Sequence, residues 1–426
     1  MIVHRLNEQT ASRQFAAGWD DLRAHNAGVV LRAAWWAERI SRADLARQTG
    51  LSRATISDIV AEFVAGGILE DTEDAAPRTS SGGRPPTIVR FVDDCRNILG
   101  VELGATHVSV VRTDLRGRVL WRSATEVDTA ADPDAALAAI VRLARAAWDD
   151  APDAVMIGVG LALPTPLRHG EGARLSPRLF PRWEGIDVAE PLADALGVPV
   201  HADNDANLGA LGEHWWGAGR GVEDLVYIKV ATGVGAGILI GGEIYRGARG
   251  IAGEIGHTSI DPAGPRCRCG LTGCLEAFVG TSYLLDRAGM GPTRRHATVT
   301  ELIDAARAGD PVARAVVQDA GHHLGVAVAN LLNLVNPARV VLGGRLTDVG
   351  EPLLVALRES AHARALWSSV DGYDVVLGTL GDDAVALGAA TAILRTALLQ
   401  PARHFLAASS PVLARRGASA VSLAPT

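Results

Sequence analysis

An apolar run from Val29 to Trp36 predicts a helix, and Ile40 follows it. Ser41 then stands at an N-cap position, where a side-chain oxygen accepts an amide of the first turn, with Asp44 at the third helical position as a weak capping box. Leu45 and Ala46, with Ala43 beside them, form a short apolar face, and Gly50 is placed to stop this helix in a left-handed conformation. Leu51 plugs the turn and Ser52 caps a second helix, along which Ile56, Ile59, Val60, Phe63 and Val64 recur at helical spacing. Arg53, Ala54, Thr55 and Ser57 are left at the outward start of that helix. After Gly66 and Gly67, Ile68–Glu70 reads as a strand, and a polar loop over 79–86 that carries Arg84 leads to a second strand at Thr87–Phe91.

Helix, glycine turn, helix and two strands make the plan of a winged helix-turn-helix, whose second helix enters the major groove with its N-terminal residues at base edges. Small polar side chains there permit close approach, an arginine can bond guanine, and an arginine on the wing can enter a minor groove. Arg53, Ala54, Thr55, Ser57 and Arg84 are therefore the candidate DNA-reading residues, with operator DNA as the expected partner. A plain helical hairpin with an appended β-turn, used for protein contacts, is the competing reading of the same letters.

Around Cys95 the pattern changes to an alternation of strands and helices. Ile98–Thr106 followed by His107–Val111 reads as a β-hairpin, and Val155–Leu161, Val200–Ala202 and Leu225–Val230 as further strands. The last of these runs into the turn Ala231–Gly237, where backbone amides around Thr232, Gly233 and Gly235 can cradle phosphate oxygens. Gly343 and Gly344, after the strand that starts at Val340, form another such turn, although a tight hairpin produces the same letters. His201–Asn207 places Asn204 and Asp205 just past a strand, where a carboxylate can take a proton from a hydroxyl. Turn chemistry is the alternative there.

A chain of 426 residues suggests two or three domains, and 48% hydrophobic with 21% charged residues suits a globular protein. No run of about 20 apolar residues could span a membrane, and MIVHRLNEQT lacks the apolar core of a signal peptide, so a cytoplasmic protein with no membrane partner is expected. The net charge of −7 excludes a protein that coats nucleic acid along its whole length, but not one with a small DNA-reading module. Basic residues are nearly all arginine, Lys229 being the only lysine. Of four cysteines, Cys267, Cys269 and Cys274 crowd together, a poor layout for disulfides and a good one for metal. With His257 they make a Cys3His set, suited to a closed structural zinc site that would organise its loop and hold Glu254 and Glu276. Three buried cysteines without a metal is the alternative.

The motif Cys267-x-Cys269-Gly-x-x-Gly-Cys274-x-Glu276, preceded by Gly253-Glu254-Ile-Gly-His257, resembles that of the ROK family (repressors, open reading frames and kinases), and the likeness runs from about Asn26 to Leu394. It implies an actin-like, ribonuclease-H-like α/β sugar-kinase fold of two lobes behind the winged helix. By the same resemblance Asn204, Asp205, Glu254, His257 and Glu276 contact sugar hydroxyls, and Asp205 is the catalytic base if the domain is an active kinase. Glu102, Gly104 and Thr106 belong to its first phosphate motif, and Thr232, Gly233, Gly235, Gly343 and Gly344 complete the phosphate-binding candidates. Where the kinases carry Asp-x-Gly-Gly-Thr, however, this chain has Glu102-Leu103-Gly104-Ala105-Thr106. Pro164-Thr165 replaces Pro-Gly, and Arg178 stands where a sugar-binding Asn is expected. The expected layout is a tail at 1–25, a DNA-binding domain at 26–92, a kinase-like domain at 96–400 and a tail at 401–426. The expected function is a repressor of carbohydrate genes, a homodimer or homotetramer that senses a sugar or sugar phosphate. The alternative is an ATP- and Mg2+-dependent kinase of a hexose or N-acyl amino sugar with an added DNA-binding domain.

Overall fold

The computed structural model describes residues 19–72, 87–168, 170–289, 298–366 and 373–406. Its contacts divide the chain into two compact units: residues up to Asn97 with Asp114–Arg116 and the chain from Leu394, and the remainder between Ile98 and Ile393.

The first unit begins with α1 (Trp19–Ala37), then β1 (Arg39–Ser41), α2 (Arg42–Thr49), α3 (Arg53–Ala65), β2 (Leu69–Thr72) and β3 (Ile88–Phe91). Helix α1 starts ahead of the boundary expected at 26; its opening residues Trp19–Asn26 mix apolar with charged and polar ones without a clear helical stripe, so periodicity does not reveal it. The caps form as read: Ser41 accepts the amide of Asp44, Gly50 adopts φ 72°, and Ser52 accepts the amide of Thr55. Asp44 does not complete a capping box; its carboxylate accepts the Ser41 hydroxyl at 2.6 Å and pairs with Arg47. Leu45, Ile56, Ile59, Val60 and Phe63 are buried together with Leu31 and Trp35. The Trp35 indole donates to the Leu115 carbonyl at 2.9 Å, and the Arg116 guanidinium stacks 4.6 Å from the ring centroid. Strands pair antiparallel in the order β1-β3-β2, with Leu69 opposite Phe91. The wing tip with Arg84 lies outside the described residues.

The second unit holds β4 (Asn97–Leu103), β5 (His107–Thr113), β6 (Val119–Glu126), α4 (Pro133–Asp149), β7 (Met156–Leu163), α5 (Ala189–Leu196), β8 (Val200–Asn204) and α6 (Asp205–Trp216). It continues with β9 (Leu225–Val230), β10 (Val234–Ile240), β11 (Glu243–Ile244), α7 (Glu276–Val279), α8 (Thr281–Arg287), α9 (Val299–Ala308), α10 (Pro311–Leu334), β12 (Arg339–Gly343), α11 (Glu351–His362), β13 (Asp374–Leu377) and α12 (Ala384–Leu399). The strands form two five-stranded sheets, β6-β5-β4-β7-β8 and β11-β10-β9-β12-β13. Both follow one plan, an antiparallel meander extended by two further strands, and this repetition is the two-lobed α/β architecture the resemblance implies. Inner strands β4 and β7 are buried at every position, whereas edge strand β6 alternates, as expected for strands covered on two faces and on one. Among the described residues no helix is long and apolar enough to cross a membrane.

Helix α12 lies directly on the first sheet. A Cβ on Gly100 or Gly160 would strike the backbone carbonyls of Ala386 or Ala389, and one on Gly388 would strike that of Leu208 in α6. The described chain also runs past the boundary expected at 400: Ala402–Leu406 makes a π-helical turn that buries Phe405, because an apolar residue still follows the helix there. Residues 407–426 lie outside the described residues. Gly160→Ala is expected to destabilise the larger unit by about 1–3 kcal/mol, since the obstacle is backbone and cannot rotate away. Chemical denaturation checks this, and a wild-type midpoint would show that α12 can shift.

Candidate functional site

The cysteine loop is built from tight turns. Gly270 and Gly273 adopt φ 91° and 75°, where a side chain is strained, and the Cys267 amide donates to the Leu271 carbonyl at 2.8 Å. His257 ends a short 3-10 turn from Ile255. The ligand atoms of His257, Cys267, Cys269 and Cys274 all lie within 4.8 Å of one another, and the three thiols are buried and unbridged. Cys269 Sγ is 3.7 Å from Cys274 Sγ, and Cys267 Sγ is 3.7 Å from His257 Nδ1. Two sulfurs bound tetrahedrally at about 2.3 Å from a zinc ion stand about 3.8 Å apart, so this donor set fits a metal ion. Cys95 takes no part; it is half-buried, and burial pushes its thiol up to about 11.

Beside the loop opens a cleft of about 200 Å³. Its lining brings together Asn204, Asp205, Glu254, His257 and Glu276, and also Gly104, Thr106, Thr232, Gly233 and Gly235. Asn204 caps α6, its side-chain oxygen accepting the amides of Ala206 and Asn207 while its Nδ2 donates to the Thr165 carbonyl at 3.2 Å. Asp205, the first residue of α6, accepts the amide of Ala206 at 2.8 Å through Oδ1 and the Lys229 ammonium at 2.8 Å through Oδ2. Glu102 lies beneath the lining, its Oε1 2.6 Å from the same Lys229 Nζ. Burial works to raise Glu102, but Lys229 and His107 bring it down to about 2; burial works to lower Lys229, but Asp205 and Glu102 carry it above its ordinary value. Glu276 receives Arg268 at 2.7 Å and the amide of Val234 at 3.1 Å.

Some expected residues stand elsewhere. Gly343 and Gly344 do not line this cleft; they close against Tyr227 and Val230, and their neighbour Arg345 lines it instead. The Ala105 side chain stands in the lining, and Arg178 does not. Lys229 and Arg268 are the contributors that the sequence analysis passes over. The signal for Lys229 is its place as the only lysine, at the end of a buried strand just before a glycine turn. In the first unit Arg53, Ala54 and Ser57 are exposed, as is Asp58, while Thr55 is half-buried because its hydroxyl meets that of Ser52 at 2.9 Å.

Burial, then the charges of Asp205 and Glu276, push Glu254 up to about 7 from 4.5. A carboxyl raised in the folded state holds its proton more tightly there than in the unfolded chain. Its contribution is whole below about 4.5 and is lost as pH rises through 7. Melting temperatures of wild type should therefore fall relative to Glu254→Gln across that window, and parallel profiles would show that Glu254 titrates normally.

The ROK family profile matches residues 98–396, and a winged helix-turn-helix DNA-binding profile matches residues 29–70. The xylose repressor of Caldicellulosiruptor bescii is 30% identical over 395 residues, covering 89% of this chain and 98% of that protein. Among solved structures, a ROK family transcriptional regulator, a homolog of the E. coli MLC protein, superposes with TM-score 0.74 at 25% identity over 90% of this chain and 98% of its own. A ROK family glucokinase from Streptomyces griseus, in complex with glucose and AMPPNP, superposes with TM-score 0.63 at 27% identity over 70% of this chain and 98% of its own. The winged helix and the domain that follows it in sequence thus match separately and together, and the chain belongs to the ROK family, in the regulator form that joins a winged helix-turn-helix to a sugar-kinase-like domain.

Proposed function

We propose that this protein is a repressor of carbohydrate genes whose kinase-like domain binds a sugar without phosphorylating it. The observation that carries the reading is the pairing of an exposed, capped recognition helix with a cleft whose hydroxyl-binding side chains are in place while Asp205 is held by Lys229. Asn204, Asp205, Glu254, His257 and Glu276 supply acceptors and donors for sugar hydroxyls. A structural zinc ion at His257, Cys267, Cys269 and Cys274 would close the loop that presents Glu254 and Glu276. His257 then serves both, with Nδ1 toward the sulfurs and the ring in the cleft lining.

Arg53, Ala54, Thr55 and Ser57, with Arg84 from the wing, would read the operator, and a homodimer or homotetramer supplies paired heads for paired half-sites. The sugar changes DNA affinity only by binding two conformations unequally, and a coupling of about 1–3 kcal/mol is typical. An ATP-dependent kinase is the second reading, favoured by Asp205 sharing the cleft with the Thr232–Gly235 turn. ADP release with a hexose and Mg2+-ATP, abolished by Asp205→Ala, would establish it.

The test is titration of the full chain onto DNA from its own upstream region, at fixed salt, with a sugar panel that includes xylose and glucose, the sugars named with two of its relatives. One sugar should shift the affinity by about 5-fold or more. Arg53→Ala should weaken DNA binding by about 1–3 kcal/mol with sugar affinity unchanged. An absence of DNA binding under every ligand sinks the proposal. Cys269→Ser is expected to lose zinc and the sugar response together, and a variant that keeps both refutes the ligand assignment.

A further inference from the structure

Lys229 reaches from β9 of the second sheet to two carboxylates, Glu102 on β4 of the first sheet and Asp205 at the head of α6. The lysine side chain is 12% exposed, Glu102 4% and Asp205 16%. Two carboxylates this close and this dry repel each other, and each has lost most of its water, so a cation must stand between them. A divalent metal would need the same oxygens, because magnesium is held by one or two carboxylates together with phosphate oxygens. The ammonium is tethered at that point and competes from within the fold.

The other basic side chains of the lining are engaged as well. Arg268 pairs with Glu276 at 2.7 Å and Arg345 with Asp382 at 3.2 Å. His107 faces Glu102 at 3.7 Å, and His257 Nδ1 faces Cys267. Among the described lining residues every basic side chain therefore has a partner, while Asp205 and Glu254 line the cleft with carboxyl oxygens. The side chains of such a lining suit hydroxyl donors and offer a phosphate no unpaired cation.

We propose that Lys229 is a specificity-determining residue, a built-in counter-ion that occupies the place of a divalent metal and restricts the cleft to uncharged sugars, excluding sugar phosphates and metal-bound nucleotides. The proposal rests on reading the cleft as a sugar site, but its metal arm can be tested without any sugar. Purified full-length wild type and Lys229→Met are titrated with Mn2+, and free Mn2+ is followed by electron paramagnetic resonance. The variant should gain one site at least about tenfold tighter than any in wild type, and that site should vanish in Lys229→Met combined with Asp205→Asn.

If Lys229→Met is too unstable for titration, its melting in millimolar Mn2+ reads the same site. A rise of several degrees over the metal-free variant, absent in wild type, supports the proposal. Equal Mn2+ affinity in both proteins, or a variant indifferent to Mn2+, overturns it. In a second arm, wild type should bind an unphosphorylated hexose at least about tenfold more tightly than its 6-phosphate, and the reverse order overturns the proposal. Failure of both compounds to bind, with the Mn2+ result intact, counts against the sugar reading and leaves the role of Lys229 as counter-ion standing.

Discussion

Glu102 on β4 and Asp205 at the head of α6 face the same small space, and the ammonium of Lys229 bridges them there. Removing one partner from a buried ion cluster of this kind typically costs about 3–5 kcal/mol, because the charge left behind has neither water nor counter-ion. The cluster also fixes geometry. Asp205 cannot turn away from the cleft without giving up Lys229, and Lys229 cannot leave without exposing two carboxylates to each other. Three elements, β4, α6 and β9, are thereby held in one arrangement at the floor of the cleft. A sugar hydroxyl that reaches Asp205 meets a carboxylate already positioned, one oxygen on the Ala206 amide and the other on the ammonium.

The cysteine loop acts on the other wall by a similar logic. Arg268 sits between two cysteine ligand candidates and reaches Glu276, whose second oxygen takes the amide of Val234. Closing the loop therefore sets where Arg268 stands, and Arg268 sets where Glu276 stands. Glu254 has no such cation beside it, and burial with the charges of Asp205 and Glu276 raises it. The acids of one cleft are thus placed differently: Asp205 and Glu276 each meet a basic side chain, while Glu254 is buried near the charges of the other two.

How much of this is legible in the chain depends on how local the physics is. The winged helix is legible because Ser41, Gly50 and Ser52 carry out the capping themselves, each within three or four residues of what it caps. The cysteine loop is legible for the same reason, since its donors fall within a short span. The start of α1 is not, because Leu22–Asn26 bury no side chain that would set a periodic stripe. Gly343 and Gly344 are read ambiguously, because a glycine turn serves close packing on Tyr227 and Val230 as well as it serves phosphate. Lys229 is invisible to local pattern: its partners are 127 and 24 residues away, and a lone lysine among arginines reads first as compositional bias.

The identity of that one residue then matters chemically. An arginine would bring a rigid planar fork that matches a single carboxylate side by side, whereas an ammonium is a compact point charge with three donors that can be shared between two carboxylates. In a chain whose other cations are all arginine, the position that must bridge two carboxylates in a narrow buried space is the position that carries lysine. The exception to the composition is therefore explained by the geometry of the cleft floor. The same compactness lets one ammonium stand where a small divalent cation would stand, so the features that stabilise the floor are the features that close it to metal.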